Sequence, residues 1–262
     1  MITETQARTA QQSLAGGWIR AVRWSESLGS TSTEAMAIAR DRSAPDSGLL
    51  VVAQRQTAGR GRGTNTWFSD EGSLTFSLLT PRLSLDHETL PRAALAVGVA
   101  LCEACDDAAA GSGVGLKWPN DLYAEGKKLG GILIESPGFR PARLVVGVGL
   151  NVTTSVDQIP AAARSRATSL AAQTQGEIDP VALLVAVAQG IERRLTGLIG
   201  GEPDVVRQWQ RRSVLGGRHV ALETPEGRVR GVCREIDAKG RLVLETPRGT
   251  ERFVSGSVVS FV

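Results

Sequence analysis

Two arginines among glycines in the stretch QTAGRGRGTNTW (residues 56–67) are the first place in this chain where residue type and spacing imply chemistry. Glycines permit left-handed backbone and let main-chain N–H groups come close to a ligand, where successive N–H groups form an anion nest. Arg60 and Arg62 add planar, permanently charged forks that match pairs of phosphate or carboxylate oxygens. With Arg55 they set three positive charges in a segment that has no acid before Asp70, a local excess equal to the +3 net charge of the whole chain. The segment suits an anionic, phosphate-bearing ligand.

Familiar phosphate loops do not fit it. A P-loop requires Gly-Lys followed by Ser or Thr, and here Gly126-Lys127 is followed by Lys128. A dinucleotide fingerprint requires glycine where Thr64 stands and a helix afterwards, whereas this chain runs through Trp67 toward an apolar strand. An RGG-type RNA-binding segment would be repetitive and disordered, and this is one copy between a strand and a tryptophan. That reading and a plain solvated turn stay open as alternatives. A second candidate is Lys117 in GLKWPNDL (residues 115–122), where an apolar strand ends in lysine and Pro119 cannot extend the ladder, so the ammonium is held at a sheet rim. For that lysine alone, an edge position before a turn is the simpler reading.

Such residues need a rigid frame. Apolar, β-branched runs at residues 18–24, 49–53, 74–79, 114–118, 129–134 and 144–152 read as strands, and helical periodicity appears at 34–42, 90–109 and 180–199. Thr31-Ser32-Thr33-Glu34 fits a capping box at the first helix, and Pro180 suits the first turn of the last. Residues 122–124 and 129–134, joined by a short turn at Glu125-Gly126, must be antiparallel, because a parallel crossover needs a dozen residues or more. The fold expected is α+β, a mixed, largely antiparallel sheet covered by helices. From Gly216 the texture changes to short strands at 219–223, 228–236, 241–245, 251–254 and 258–261 between Pro/Gly turns, which reads as a small C-terminal β-barrel. The division expected is a large domain over residues 1–215 and a small one over 216–262.

Composition agrees with a folded chain: 262 residues, 42% hydrophobic and 22% charged, without low-complexity tracts. No apolar run reaches the roughly 18 to 20 residues that span a bilayer, and the polar N-terminus lacks a signal-peptide core, so a cytoplasmic location is expected. Cys102, Cys105 and Cys233 are too few and odd in number for a disulfide framework. The Cys102/Cys105 pair falls in an apolar helical pattern, with His87 and His219 in other contexts, and reads as helix packing in preference to zinc or redox chemistry.

Taken in order, GRGR (59–62), KWPNDL (117–122), KKLGGILIE (127–135), VVGVGLNV (145–152) and ATSL (167–170) resemble the biotin protein ligase family over nearly the whole chain from Trp24 onward. The resemblance implies a catalytic domain like that of class II aminoacyl-tRNA synthetases, and an enzyme that activates biotin with ATP and Mg²⁺ as biotinyl-5′-AMP. It implies transfer of biotin to one lysine of a biotin carboxyl carrier domain of acetyl-CoA carboxylase or a related carboxylase. Residue by residue, it assigns Gly29, Ser30, Thr31, Ser32 and Gln56 to biotin. It assigns Arg60, Gly61, Arg62 and Lys117 to biotin and adenylate together, with Arg60, Arg62 and Lys117 catalytic. Lys128, Gly131 and Asn151 fall near the adenylate, and Asn120 or Asp121 near Mg²⁺. The chain departs from the family at Ser32, where Asn is usual, and at Gly63-Thr64, where the next glycine usually stands at 64.

In this reading cations screen the repulsion between biotin's carboxylate and ATP, and the 56–67 loop is a lid that orders around the adenylate. Trp67 or Trp118 is expected either to wall the pocket or to sit in the core. Fewer than twenty residues precede Trp18, too few for the helix-turn-helix domain of family members that repress transcription, so no sequence-specific DNA binding and no membrane association are expected. Either a monomer or a homodimer is compatible. The alternatives are a lipoate protein ligase, an RNA-binding module using the Gly-Arg loop, and a protein that only stores biotin.

Overall fold

The computed structural model describes residues 2–41, 43–85, 90–138, 143–201 and 204–262, so Arg42 and His87 lie outside the described residues. In chain order the elements of the large layer are α1 (Glu4–Ser13), β1 (Ile19–Leu28), α2 (Thr31–Arg40), β2 (Gly48–Gln56), β3 (Ser73–Leu79), α3 (Leu90–Ala108), β4 (Gly115–Lys117), β5 (Asp121–Ala124), β6 (Lys127–Glu135), β7 (Val145–Asn151), α4 (Ala161–Arg164), α5 (Pro180–Ile199) and α6 (Val205–Arg211). The strands form a seven-stranded sheet in the order β1-β2-β3-β7-β6-β5-β4. Only β1 and β2 run parallel, with α2 as their crossover, and every other pair is antiparallel. The mixed α+β architecture is as the sequence predicts.

Alternation sets the two faces of this sheet. Val146, Val148 and Leu150 of β7, with Leu74, Phe76 and Leu78 of β3, enter a large core under α3 and α5, the two helices packed closely on each other. Cys102 and Cys105 are buried in α3, where burial raises both thiols, Cys102 to about 12. On the other face α2 packs over β2, β3 and β7 with Ala35, Met36 and Ala39. Its start differs from the expected capping box. The N-cap is Ser30, whose side chain makes no capping bond. The first-turn N–H of Thr31 instead donates to Gln56 Oε1 at 2.7 Å, and Glu34 pairs outward with Arg23 at 3.6 Å. A tertiary acceptor at the end of β2 has replaced the local one.

The C-terminal strands β8 (His219–Thr224), β9 (Gly227–Ile236), β10 (Leu242–Thr246), β11 (Gly249–Phe253) and β12 (Ser257–Phe261) match the predicted short strands. They form a five-stranded antiparallel sheet ordered β11-β10-β9-β8-β12. Its outer strands, β11 and β12, do not pair with each other. Val220, Leu222, Ile236, Leu244 and Val258 bury their side chains in the same continuous core as the large sheet. Among the described residues, no helix is long and apolar enough to cross a membrane.

Candidate active site

Beside α2, the open face of β4–β7 lines a cavity of about 550 Å³. Its floor is glycine: Gly131 of β6 lies opposite Gly149 of β7, and Gly147 lies opposite Leu133. A Cβ on Gly149 would collide with the Trp67 ring, and one on Gly147 with Ser32 Oγ. The alternating glycines of VVGVGLNV therefore let an indole and the first turn of α2 rest directly on the sheet.

One end of the cavity is neutral and rich in hydroxyls. Ser77 Oγ donates to Thr31 Oγ1 at 2.8 Å and meets Ser32 Oγ at 3.0 Å, while Thr31 Oγ1 donates to Gln56 Oε1 at 3.2 Å. Thr31, Ser32 and Gln56 line the cavity; Ser30 does not, and its Oγ is buried without a partner. Ser30 thus opens the helix as its N-cap.

The other end is cationic. Residues 59–67 form a tight hairpin, with Trp67 N–H donating to Gly59 O at 2.9 Å, Gly61 N–H donating to Asn65 O at 2.8 Å and Gly63 at φ +61°. The left-handed turn falls at Gly63, one place before the usual family position, which accommodates Thr64. Arg60 reaches across to Glu135 at the end of β6 through two bonds of 3.0 and 2.6 Å. Half-buried Arg62 donates to Gly256 O at 3.2 Å, and burial lowers its pKa while Asp121 opposes the shift. From the sheet, Lys117, Asp121 and Gly131 fall in one row across β4, β5 and β6. Lys128 Nζ lies 2.6 Å from Asp121 Oδ1, and Lys117 Nζ lies 3.9 Å from Asp121 Oδ2. Burial lowers the Lys117 pKa; Asp121 raises it, and Lys128 and Arg166 add to the lowering. Arg60, Arg62, Lys117, Lys128 and Arg166 face a single lining carboxylate, Asp121, so the space is poised for an anion.

That carboxylate is already engaged within the chain. Asp121 is committed to Lys128, Asn120 Nδ2 donates to Ile132 O at 2.7 Å, and no cluster of three or more His, Cys, Asp or Glu among the described residues can hold a metal. Asn120 and Asp121 both shape the hairpin that carries Lys117. Asn151, also lining, donates to Thr168 O at 2.9 Å and clips the ATSL segment to the sheet. Trp67 walls the cavity, whereas Trp118 is a core residue that only borders it.

Sequence reasoning missed three contributors. Arg166 lies just before ATSL, where a bridge between Lys128 and Ala167 lays the segment along β6. Its only signal was its neighbourhood to that motif. Tyr123 and Ser257 also line the space, and Ser257 comes from the second sheet, which no local pattern linked to the Gly-Arg loop.

Residues 24–151 match the Biotin/lipoate A/B protein ligase family, and residues 215–260 match the Biotin protein ligase C terminal domain. The fold and site are thus those of a biotin or lipoate ligase class. The Biotin--[acetyl-CoA-carboxylase] ligase of Mycobacterium tuberculosis is 33% identical over 233 residues, covering 87% of this chain and 85% of that protein. The bifunctional ligase/repressor BirA of Bacillus spizizenii is 32% identical over 234 residues, 88% of this chain and 71% of the relative. The biotin protein ligase of Aquifex aeolicus in complex with biotin and ATP superposes with a TM-score of 0.77 at 28% identity, covering 93% of this chain and 99% of that one. The chain belongs to the biotin protein ligase family.

Proposed function

We propose that this protein is an ATP-dependent biotin–[acetyl-CoA-carboxylase] ligase. The observation that carries the reading is one cavity with a neutral hydroxyl-lined end joined to an end where five cationic side chains meet one lining carboxylate, Asp121, with Glu135 engaging Arg60 from outside the lining. Biotin's ring system, polar but uncharged, fits the Thr31/Ser32/Gln56 end, and its carboxylate and the nucleotide phosphates fit the cationic end. A carboxylate oxygen bonds to the α-phosphorus and pyrophosphate leaves; then a carrier-domain lysine nitrogen bonds to the acyl carbon, AMP leaves and the nitrogen loses a proton. Arg60, Gly61, Arg62 and Lys117 screen the meeting anions, and Lys128, Arg166 and Asn151 frame the adenylate. Magnesium would come with the ATP phosphates, with Asn120 or Asp121 at the cavity to help place it.

Catalysis is assigned to residues 1–215 and closure of the cavity mouth to residues 216–262, through Ser257 and Gly256. The reading includes a cytoplasmic location, and α1, ahead of β1, is part of the catalytic fold, burying Ala7 and Ala10 in the core. An RNA-binding reading is disfavoured by the loop itself, which is a hydrogen-bonded hairpin docked on Glu135. Incubation with biotin, ATP and a carrier domain, followed by intact-mass analysis, is expected to give one biotin adduct on one lysine, with AMP and pyrophosphate released. Modification by lipoate in place of biotin, or biotin binding without ATP consumption, would overturn the assignment.

A further inference from the structure

Lys117 ends β4 directly opposite Asp121 at the start of β5, and a two-strand register alone would pair them. The pair is a long one, 3.9 Å from Lys117 Nζ to Asp121 Oδ2, while Asp121 makes its shorter bond to Lys128 at 2.6 Å. The hydrogen bond that Lys117 Nζ makes is to Tyr123 Oη at 3.2 Å, and the Tyr123 ring centroid lies 5.1 Å from the same nitrogen. Only 12% of the Lys117 side chain is exposed, so this bond replaces water that the ammonium has lost. The tyrosine is itself held. Phe261 of β12 meets its ring edge-on at 5.8 Å and 65°, and the Arg218 guanidinium lies 5.3 Å from the Phe261 centroid.

We propose that Tyr123 is the positioning residue for Lys117: its hydroxyl anchors one of the three ammonium donors, and Phe261 of the second sheet fixes the tyrosine ring. The other two donors stay aimed at the cavity, where biotin's carboxylate and the α-phosphate meet. What the ammonium does there rests on the ligase reading; how it is held rests on the geometry alone. Burial, with Asp121, pushes the Tyr123 phenol up to about 12, so its oxygen keeps its proton while accepting from the lysine. The charged groups acting on Lys117 are Asp121 on β5, Lys128 on β6 and Arg166 on the segment laid along β6. Two of the three are cations, so the tyrosine oxygen and Asp121 are what favour the charged lysine against them. An acceptor for an ammonium stabilises its protonated form; deleting the acceptor lets Lys117 lose its proton at lower pH.

Tyr123→Phe removes the oxygen and keeps the ring. In the full chain without ligands, the pH dependence of Lys117 acetylation by acetic anhydride, read by peptide mass spectrometry, is expected to shift to lower pH. With biotin and ATP, the single-turnover rate of biotinyl-adenylate formation is expected to fall about tenfold, the range for a lost hydrogen bond to a charge. Its alkaline limb is expected to move in parallel, with the biotin KM little changed. Phe261→Leu, which loosens the ring without touching the oxygen, is expected to act in the same direction and less strongly. An unchanged acetylation midpoint in Tyr123→Phe, or a change confined to KM, would overturn the positioning role. A wild-type protein that forms no biotinyl-adenylate would instead overturn the ligase reading, and the acetylation midpoint would still decide the role of Tyr123.

Discussion

At the scale of single residues, the site works by leaving charges incompletely paired. Lys117 makes its hydrogen bond to a tyrosine oxygen and meets the one lining carboxylate only at 3.9 Å, while that carboxylate bonds Lys128 at 2.6 Å. A buried ammonium in this state gains from an incoming anion what its surroundings withhold, and it is fixed before that anion arrives. Lys117→Met keeps the apolar stem and removes the charge. The variant is expected to melt within about 1 kcal/mol of wild type. It is expected to lose adenylate formation by about 10²–10³-fold, the usual loss for one preorganised electrostatic donor. Chemically supplied biotinyl-adenylate should restore transfer to the carrier at least in part, because the charge is needed most when two anions meet. Single-turnover rates for each step check this, and normal adenylation in Lys117→Met would contradict it.

At the scale of elements, much was legible because local chemistry and tertiary position agree. The Glu125-Gly126 turn forces β5 and β6 antiparallel, and the KWPNDL and KKLGGILIE motifs bring Lys117 and Lys128 into one pocket through it. What was not legible depends on partners distant in sequence. Helix α2 looked self-capped from Thr31 and Glu34, yet its first N–H is held by Gln56, and the acid that meets Arg60 lies 75 residues away at Glu135. The hairpin that carries Arg60 is thus latched to the end of β6. The Arg60–Glu135 pair is partly solvated, so its removal is expected to cost stability no more than about 1 kcal/mol. Glu135→Gln should nonetheless free Arg60 and raise ligand-free protease cleavage within residues 59–63, and biotin with ATP should suppress cleavage in both proteins. Cleavage that ignores both the substitution and the ligands, in protein that forms adenylate, would show the hairpin to be static.

At the scale of the whole molecule, the change of texture at Gly216 marks a second sheet whose buried side chains join the core of the first. Leu222, Leu242 and Leu244 are fully buried in the cluster that also holds Leu116, Trp118 and Leu122 beneath the catalytic hairpin. Trp118 Nε1 donates to Gly240 O at 3.1 Å, and Gln210 Nε2 donates to Ile236 O at 2.6 Å, so backbone carbonyls of the second sheet are satisfied by the first layer. Strands that share one core with the sheet they cover are expected to melt with it. Leu244→Ala, a deletion at a site with no exposed area, is expected to destabilise the chain by about 2–5 kcal/mol. That loss should appear as a lower midpoint of a single transition, followed together by circular dichroism and tryptophan fluorescence. A chain ending at Leu215 would expose Leu116 and Trp118 and should neither fold cooperatively nor form adenylate. Two separated transitions in Leu244→Ala, or a truncated chain that keeps both reaction steps, would mean that the layers fold apart and that the second sheet only decorates the first.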